Sequence, residues 1–178
     1  MSLPRFPCKT EWVVTASDVA DFISEDLRMA QVAAVSESGV PLLGSLWFVF
    51  FGDRFWFSSH PSSPFVAAAS RGCELAVLID QFDPPDHIRQ VRVRGPGRIE
   101  IHRPERVQKI YERYLGRDVN AWPDFFRARL NDNSWTLWSV SPECGVATLY
   151  PDFREESTRW NCFAASPFAP SRDIPPLT

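Results

Sequence analysis

Lysine is almost missing from this chain of 178 residues. Of its 19 cationic side chains only Lys9 and Lys109 are lysine, and the other 17 are arginine. Set against 22 acidic residues they leave a net charge of -3, without the basic surplus of a general nucleic-acid binder. Cysteine is scarce too. Cys8, Cys73, Cys144 and Cys162 form no CxxC pair, and His60, His87 and His102 are scattered among them, so no zinc pattern is present and no metal site is expected. The cysteines read as free thiols of a reducing compartment. Long apolar runs are lacking: no stretch approaches the roughly 18 residues of a membrane span. The start, broken by Pro4 and Pro7, does not resemble a signal peptide. A soluble, cytoplasmic protein without nucleic-acid or membrane partners is expected. There is no GxSxG elbow and no HExxH helix, so hydrolase or protease chemistry has no support. The glycines of Gly95-Pro96-Gly97 sit inside a strand pattern and lack the strand-to-helix setting of a phosphate fingerprint.

What is present is a chain with 44% hydrophobic and 23% charged residues, ordinary for one globular domain. Thr15 to Ala30 reads as a helix: Thr15 with Asp18 has capping-box spacing, and Val19, Phe22, Ile23 and Leu27 recur at the helical period. Gln31–Ser36, Val40–Phe51 and Arg54–Ser59 read as three strands. The turns Glu37-Ser38-Gly39 and Gly52-Asp53 would join them in an antiparallel meander. Phe65–Arg71 reads as a short helix with Ser63 as cap, Pro64 at its first position and Gly72 at its end. Strands follow at Glu74–Asp80 and Ile88–Ile101, the second bent or bulged at Gly95-Pro96-Gly97. Helices are expected at Arg103–Leu115 and Pro123–Leu130, and last strands at Ser134–Val140 and Val146–Tyr150. Strands and helices do not alternate, which disfavours a doubly wound sheet. The pattern predicts a mainly β fold with flanking helices, a closed antiparallel barrel of six or seven strands. One domain would span 1–163, with 164–178 a Pro-rich, loosely ordered tail.

On the strand from Ile88 to Arg94 side chains alternate, so Gln90, Arg92 and Arg94 share one face opposite Val91 and Val93. That face is either solvated or turned to a ligand. The aromatic residues from Trp47 to Phe57 read as core or dimer interface, with Trp47 open to either use. Ser58, Ser59, Ser62 and Ser63 serve equally as loop and cap residues or as ligand hydroxyls.

Three stretches carry a resemblance. One is the strand, turn with Gly39, and strand leading into Ser45-Leu46-Trp47-Phe48. Another is Phe57-Ser58-Ser59 followed by a Ser-containing loop and a short helix. The third is Arg89-Gln90-Val91-Arg92-Val93, then a glycine, then Arg98-Ile99-Glu100. In order and spacing they resemble the pyridoxamine-phosphate-oxidase-like split barrels, over roughly residues 15 to 150. The resemblance implies an antiparallel split barrel. It implies a homodimer holding flavin mononucleotide (FMN) at the subunit interface, and an oxidoreductase acting on a small molecule. It places the ring against Ser45, Leu46 and Trp47. It places the ribityl and phosphate end at Phe57, Ser58, Ser62 and Ser63, and a polar contact at Gln90. The sequence departs from the family at Leu42, Trp47, Pro64 and Phe65, where arginine and lysine are usual. This argues against authentic pyridoxamine-phosphate oxidase activity and assigns Arg92 or Arg94 as replacement cations. Deazaflavin, haem or no cofactor are the alternatives to FMN, and the alternative functions are a non-catalytic module that binds flavin or haem, or holds nothing, and a deazaflavin-dependent reductase.

Overall fold

The structure, a computed structural model, describes residues 16–25, 27–83, 87–150 and 160–162. The tail expected at 164–178 and the chain start lie outside them. In order, the elements are α1 (Ala16–Ser24), β1 (Ala30–Val35), β2 (Pro41–Leu46), β3 (Val49–Phe51), β4 (Arg54–Ser59), α2 (Pro64–Ser70), β5 (Glu74–Asp83), β6 (His87–Ile99), α3 (Pro104–Leu115), a 3-10 turn at Val119–Ala121, α4 (Asp124–Arg129), β7 (Thr136–Val140), β8 (Cys144–Tyr150) and β9 (Trp160–Cys162). All strand pairs are antiparallel. The main path runs β2-β1-β5-β6-β7-β4-β3, with β8 and β9 branching from β6, which makes nine strands among the described residues rather than six or seven.

The architecture turns on β6. Its residues 88–94 pair with β8, while Gly97–Ile99 pair with β7. One strand is thus shared by a larger sheet (β1, β2, β5, β8, β9) and a smaller one (β3, β4, β7). The glycines expected to mark a bend sit at the exchange of partners. A Cβ on Gly97 would lie 2.3 Å from Leu75 Cδ1 and 2.9 Å from Ala69 Cα, so only glycine lets β6 approach α2 this closely.

Alternation then sorts the side chains. Leu75, Val77 and Ile79 of β5, Val91 and Val93 of β6 and Ala147 of β8 are buried inside, with Phe55, Phe57, Trp138 and Val140 from the smaller sheet. The short helix α2 fills the lumen with Phe65, Val66, Ala68 and Ala69. A second core lies on the outside of the smaller sheet, where α3 and the segment after it cover Trp56 and Leu137 with Val107, Ile110, Tyr111 and Trp122.

Three expectations need correction. The run Val40–Phe51 is two strands, not one: β2 pairs only with β1 and β3 only with β4, so there are two hairpins and no meander. The chain crosses between sheets at Trp47 and Phe48, whose rings go to different cores. Helix α1 stops at Ser24, so Leu27 stands 67% exposed instead of facing the core. Arginines take the helix's terminal carbonyls: Arg28 Nη1 donates to Phe22 O (2.7 Å) and Arg113 Nη2 to Ile23 O (2.6 Å). Finally, β9 and the 3-10 turn had no forecast. No helix among the described residues is long and apolar enough to cross a membrane.

Candidate functional site

The residues singled out from sequence fall into three places. Ser45 and Arg92 lie on the outer face of the larger sheet. Register aligns Ser45 with Gln31, Gln31 with Leu78 and Leu78 with Arg92, a single row across β2, β1, β5 and β6. At the usual strand spacing they stand about 14 Å apart. Ser45 Oγ donates to Gln31 Oε1 at 2.7 Å. Arg92 is exposed and makes no hydrogen bond or ion pair with the described residues, whereas Arg94 pairs with Glu74 at 3.3 Å. Gln90, half-buried, is paired with Asp80 one step along the same face.

Leu46, Trp47, Phe57 and Ser58 are turned elsewhere. Leu46 packs on the barrel core. Phe57 is fully buried and stacks on Trp138 at 4.3 Å, so its ring meets no ligand outside the barrel. Trp47 stacks on Tyr114 (4.5 Å) and on Phe126 (5.2 Å), with Tyr111 edge-on at 6.3 Å. Ser58 hydrogen-bonds the Tyr111 hydroxyl, which opposes the rise that burial imposes on the Tyr111 pKa. Burial likewise raises the pKa of Tyr114, against the backbone hydrogen bond from Phe48. Tyr114 Oη accepts from Phe48 N (3.1 Å) and donates to Arg28 O (2.8 Å), pinning the crossing between sheets.

Ser62 and Ser63 precede α2. Ser62 Oγ is 2.7 Å from His60 Nδ1, and the Ser63 side chain makes no cap hydrogen bond. Pro64 at the first helical position has no N–H to offer. Beside it lies a groove of about 460 Å³ lined by Ser36, Glu37, Ser38, Leu42, Pro64, Ala67 and Arg71. It brings together Leu42 and Pro64, two positions where the family's cations are missing, and adds a guanidinium not singled out from the sequence. Arg71 stands seven residues beyond Pro64, on the helical face of Pro64 and Ala67. Among the described residues its one hydrogen bond is long, Nη2 to Val35 O at 3.4 Å. Ser36 Oγ and Ser38 Oγ are 3.0 Å apart on the opposite wall. The groove runs beside β2, which is an edge strand, so alternate backbone N–H and C=O groups of β2 have no ladder partner.

No protein-family model and no curated protein matches the sequence. Solved structures do match. A conserved hypothetical protein from Mycobacterium tuberculosis aligns at TM-score 0.64 and 19% identity, covering 84% of this chain and 91% of that one. An FAD- and haem-binding protein from Mycobacterium smegmatis aligns at 0.60 and 15%, covering 91% of each. A protein of the pyridoxine-phosphate oxidase family from Clostridium acetobutylicum, related to general stress protein 26 of B. subtilis, aligns at 0.52 and 13%, covering 83% and 94%. Such identities speak to architecture, and that agrees with the strand shared between two sheets: the chain has the split-barrel fold of the pyridoxamine-phosphate-oxidase-like proteins.

Proposed function

We propose that the chain is a flavin-nucleotide-binding oxidoreductase acting on a small molecule in the cytoplasm, with FMN as its cofactor, and not an authentic pyridoxamine-phosphate oxidase. The observation that carries this reading is the groove beside edge strand β2, where Arg71 stands next to Leu42 and Pro64. The residues there fit one phosphate end. Arg71 supplies a charge-assisted donor, and Ser36 and Ser38 supply hydroxyls across the groove. Unpaired backbone groups of β2 near Ser45 to Trp47 suit the polar edge of a planar ring, with Gln90 as a further polar contact. A bound flavin supplies hydride transfer, and the protein's part is position, hydrogen bonding and exclusion of water. Arg92, without a partner among the described residues on the outer face, is a second candidate cation. Trp47 and Phe57, engaged with the protein's own rings, drop out as side-chain contacts, while Ser45, Gln90 and Arg92 stay candidates beside Ser62 and Ser63.

A homodimer accompanies this proposal. The outer face of the larger sheet exposes Leu43 (76%), Val35 (53%) and Phe82 (74%), apolar groups that a second copy would cover. A site at that junction would be closed by both copies.

A second reading is a non-catalytic module that holds haem or a flavin, or a deazaflavin reductase. It is favoured by Glu37, which lines the same groove as Arg71 and weakens its pull on an anion. One titration separates the two. FMN and riboflavin are added to purified protein and to Arg71→Ala, and flavin fluorescence is followed. The first reading expects FMN to bind at least about tenfold more tightly than riboflavin, the worth of one charge-assisted contact, and expects Arg71→Ala to abolish the difference. Equal affinities in the unaltered protein, or a Soret band in the purified protein, would overturn it.

A further inference from the structure

A second groove, of about 590 Å³, opens on the outside of the smaller sheet and shares no residue with the first. It is lined by Phe51, Gly52, Arg54, Trp56, Arg98, Ile99, Glu100 and Arg106. Three guanidiniums face one carboxylate there, a surplus of two positive charges in a chain whose net charge is negative.

The sheet register gathers them. Arg98 is paired with Ser139, and Ser139 with Trp56, so the three side chains stand in one row. Arg54 and Glu100 lie two residues along the same faces. Trp56 is fixed as a platform: it stacks on Phe51 at 5.0 Å, and its Nε1 donates to Phe51 O at 3.0 Å. The Arg106 guanidinium, reaching from α3, lies 4.2 Å over the Trp56 ring. Glu100 accepts from Ser139 Oγ (2.6 Å) and from Arg54 Nη1 (3.1 Å), which ties β6 to β7 and β4.

A structural network explains Arg54 and Glu100 but leaves two guanidiniums with no hydrogen-bond acceptor among the described residues. Arg106 stacks on Trp56 and makes only a long ion pair with Glu100 at 3.9 Å, beyond hydrogen-bond reach, so no described residue accepts from its N–H groups. Arg98 makes no hydrogen bond or ion pair with the described residues. A guanidinium fixed by its stack, beside an exposed one with open N–H groups, matches the oxygens of a phosphate. We propose that this groove binds the phosphate group of a small phosphorylated ligand, gripped by Arg98 and Arg106 with Arg54 behind them. The Phe51 edge offers an apolar surface for the rest of that ligand. The site is separate from the flavin groove and stands or falls without it.

The test is calorimetric titration of the full chain with pyrophosphate at constant ionic strength. Saturable binding that includes an Arg98-dependent site is expected. Arg98→Glu reverses an exposed, unpartnered charge, so it should weaken binding by about tenfold or more while the melting temperature stays put. In Arg71→Ala, where the flavin groove has lost its cation, the Arg98-dependent site should remain. No saturable binding, or Arg98→Glu binding as tightly as the unaltered protein, overturns the proposal. So does loss of binding in Arg71→Ala, which would place the anion in the other groove.

Discussion

The α-carbon of Gly95 approaches the Ser141 carbonyl so closely that a Cβ placed there would lie 1.7 Å from the oxygen. This is where β6 changes partner and the chain turns from β7 into β8. Ser141 N donates to Pro96 O and Glu143 N to Arg94 O at 2.9 Å, so the approach is held from both sides. A methyl group must therefore move backbone rather than a flexible side chain. Gly95→Ala is expected to cost about 3 kcal/mol or more of stability, at the top of the overpacking range. Urea denaturation measures it, and a loss below about 0.5 kcal/mol would mean that the 141–143 turn yields freely.

Trp47 holds α3 and α4 to the sheet crossing through its stacks on Tyr114 and Phe126. Trp47→Ala should destabilise by roughly 2–4 kcal/mol, since it empties a half-buried aromatic site. Trp47→Phe should lose about 1 kcal/mol and leave flavin affinity unaltered. If Trp47→Phe keeps full stability and loses flavin binding, its ring belongs to the ligand and not to the protein.

Alkaline stability should report on Tyr111 and Tyr114. Burial raises both above the usual 10.0, so the folded state holds its protons more firmly than the unfolded chain. Their contribution is complete below that value and is lost as pH climbs through the folded values. Stability should therefore decline above pH 10.0 as the unfolded chain ionises first. Tyr114→Phe should cost roughly 1–3 kcal/mol at neutral pH, because Phe48 N loses its acceptor, and should flatten the alkaline decline. Denaturant midpoints measured across the alkaline range check both; an alkaline limb as steep as that of the unaltered protein would refute the assignment.

The proposed dimer places Leu43 and Val35 under a second copy. Leu43→Glu puts a charge on a side chain that is 76% exposed in the single chain, so the monomer's melting temperature should barely change. The dimer should nevertheless dissociate, as light scattering behind a sizing column would record. A Leu43→Glu protein of unchanged mass and shape would remove this face from the interface.

Much of the fold was legible because local signals agree with it. The strand Arg54–Ser59 matches its forecast, and α2 starts at the proline named for it. The glycine pair in β6 marked its bend because it interrupts a strand-forming run. The break at Trp47 and Phe48 was not legible. Nothing in a continuous aromatic run signals a stop, and the cause lies in Tyr114, whose hydroxyl meets the Phe48 amide across 66 residues. The overlong first helix failed for a similar reason: Leu27 kept the helical period, but distant Arg113 caps the helix at Ile23. At the candidate site the sequence pointed to missing cations. It did not show that a guanidinium two turns down α2 returns to the same groove. That follows from helix geometry and packing together.

With α2 inside, the barrel is tightly filled at two points: Phe65 presses against Gly44, where a Cβ would stand 2.8 Å from its ring, and Ala69 against Gly97. Both grooves lie outside that filling, on the exterior of the barrel. Its hairpin tips and helix flanks are accordingly free to diverge toward new chemistry while the stuffed interior keeps the shape constant.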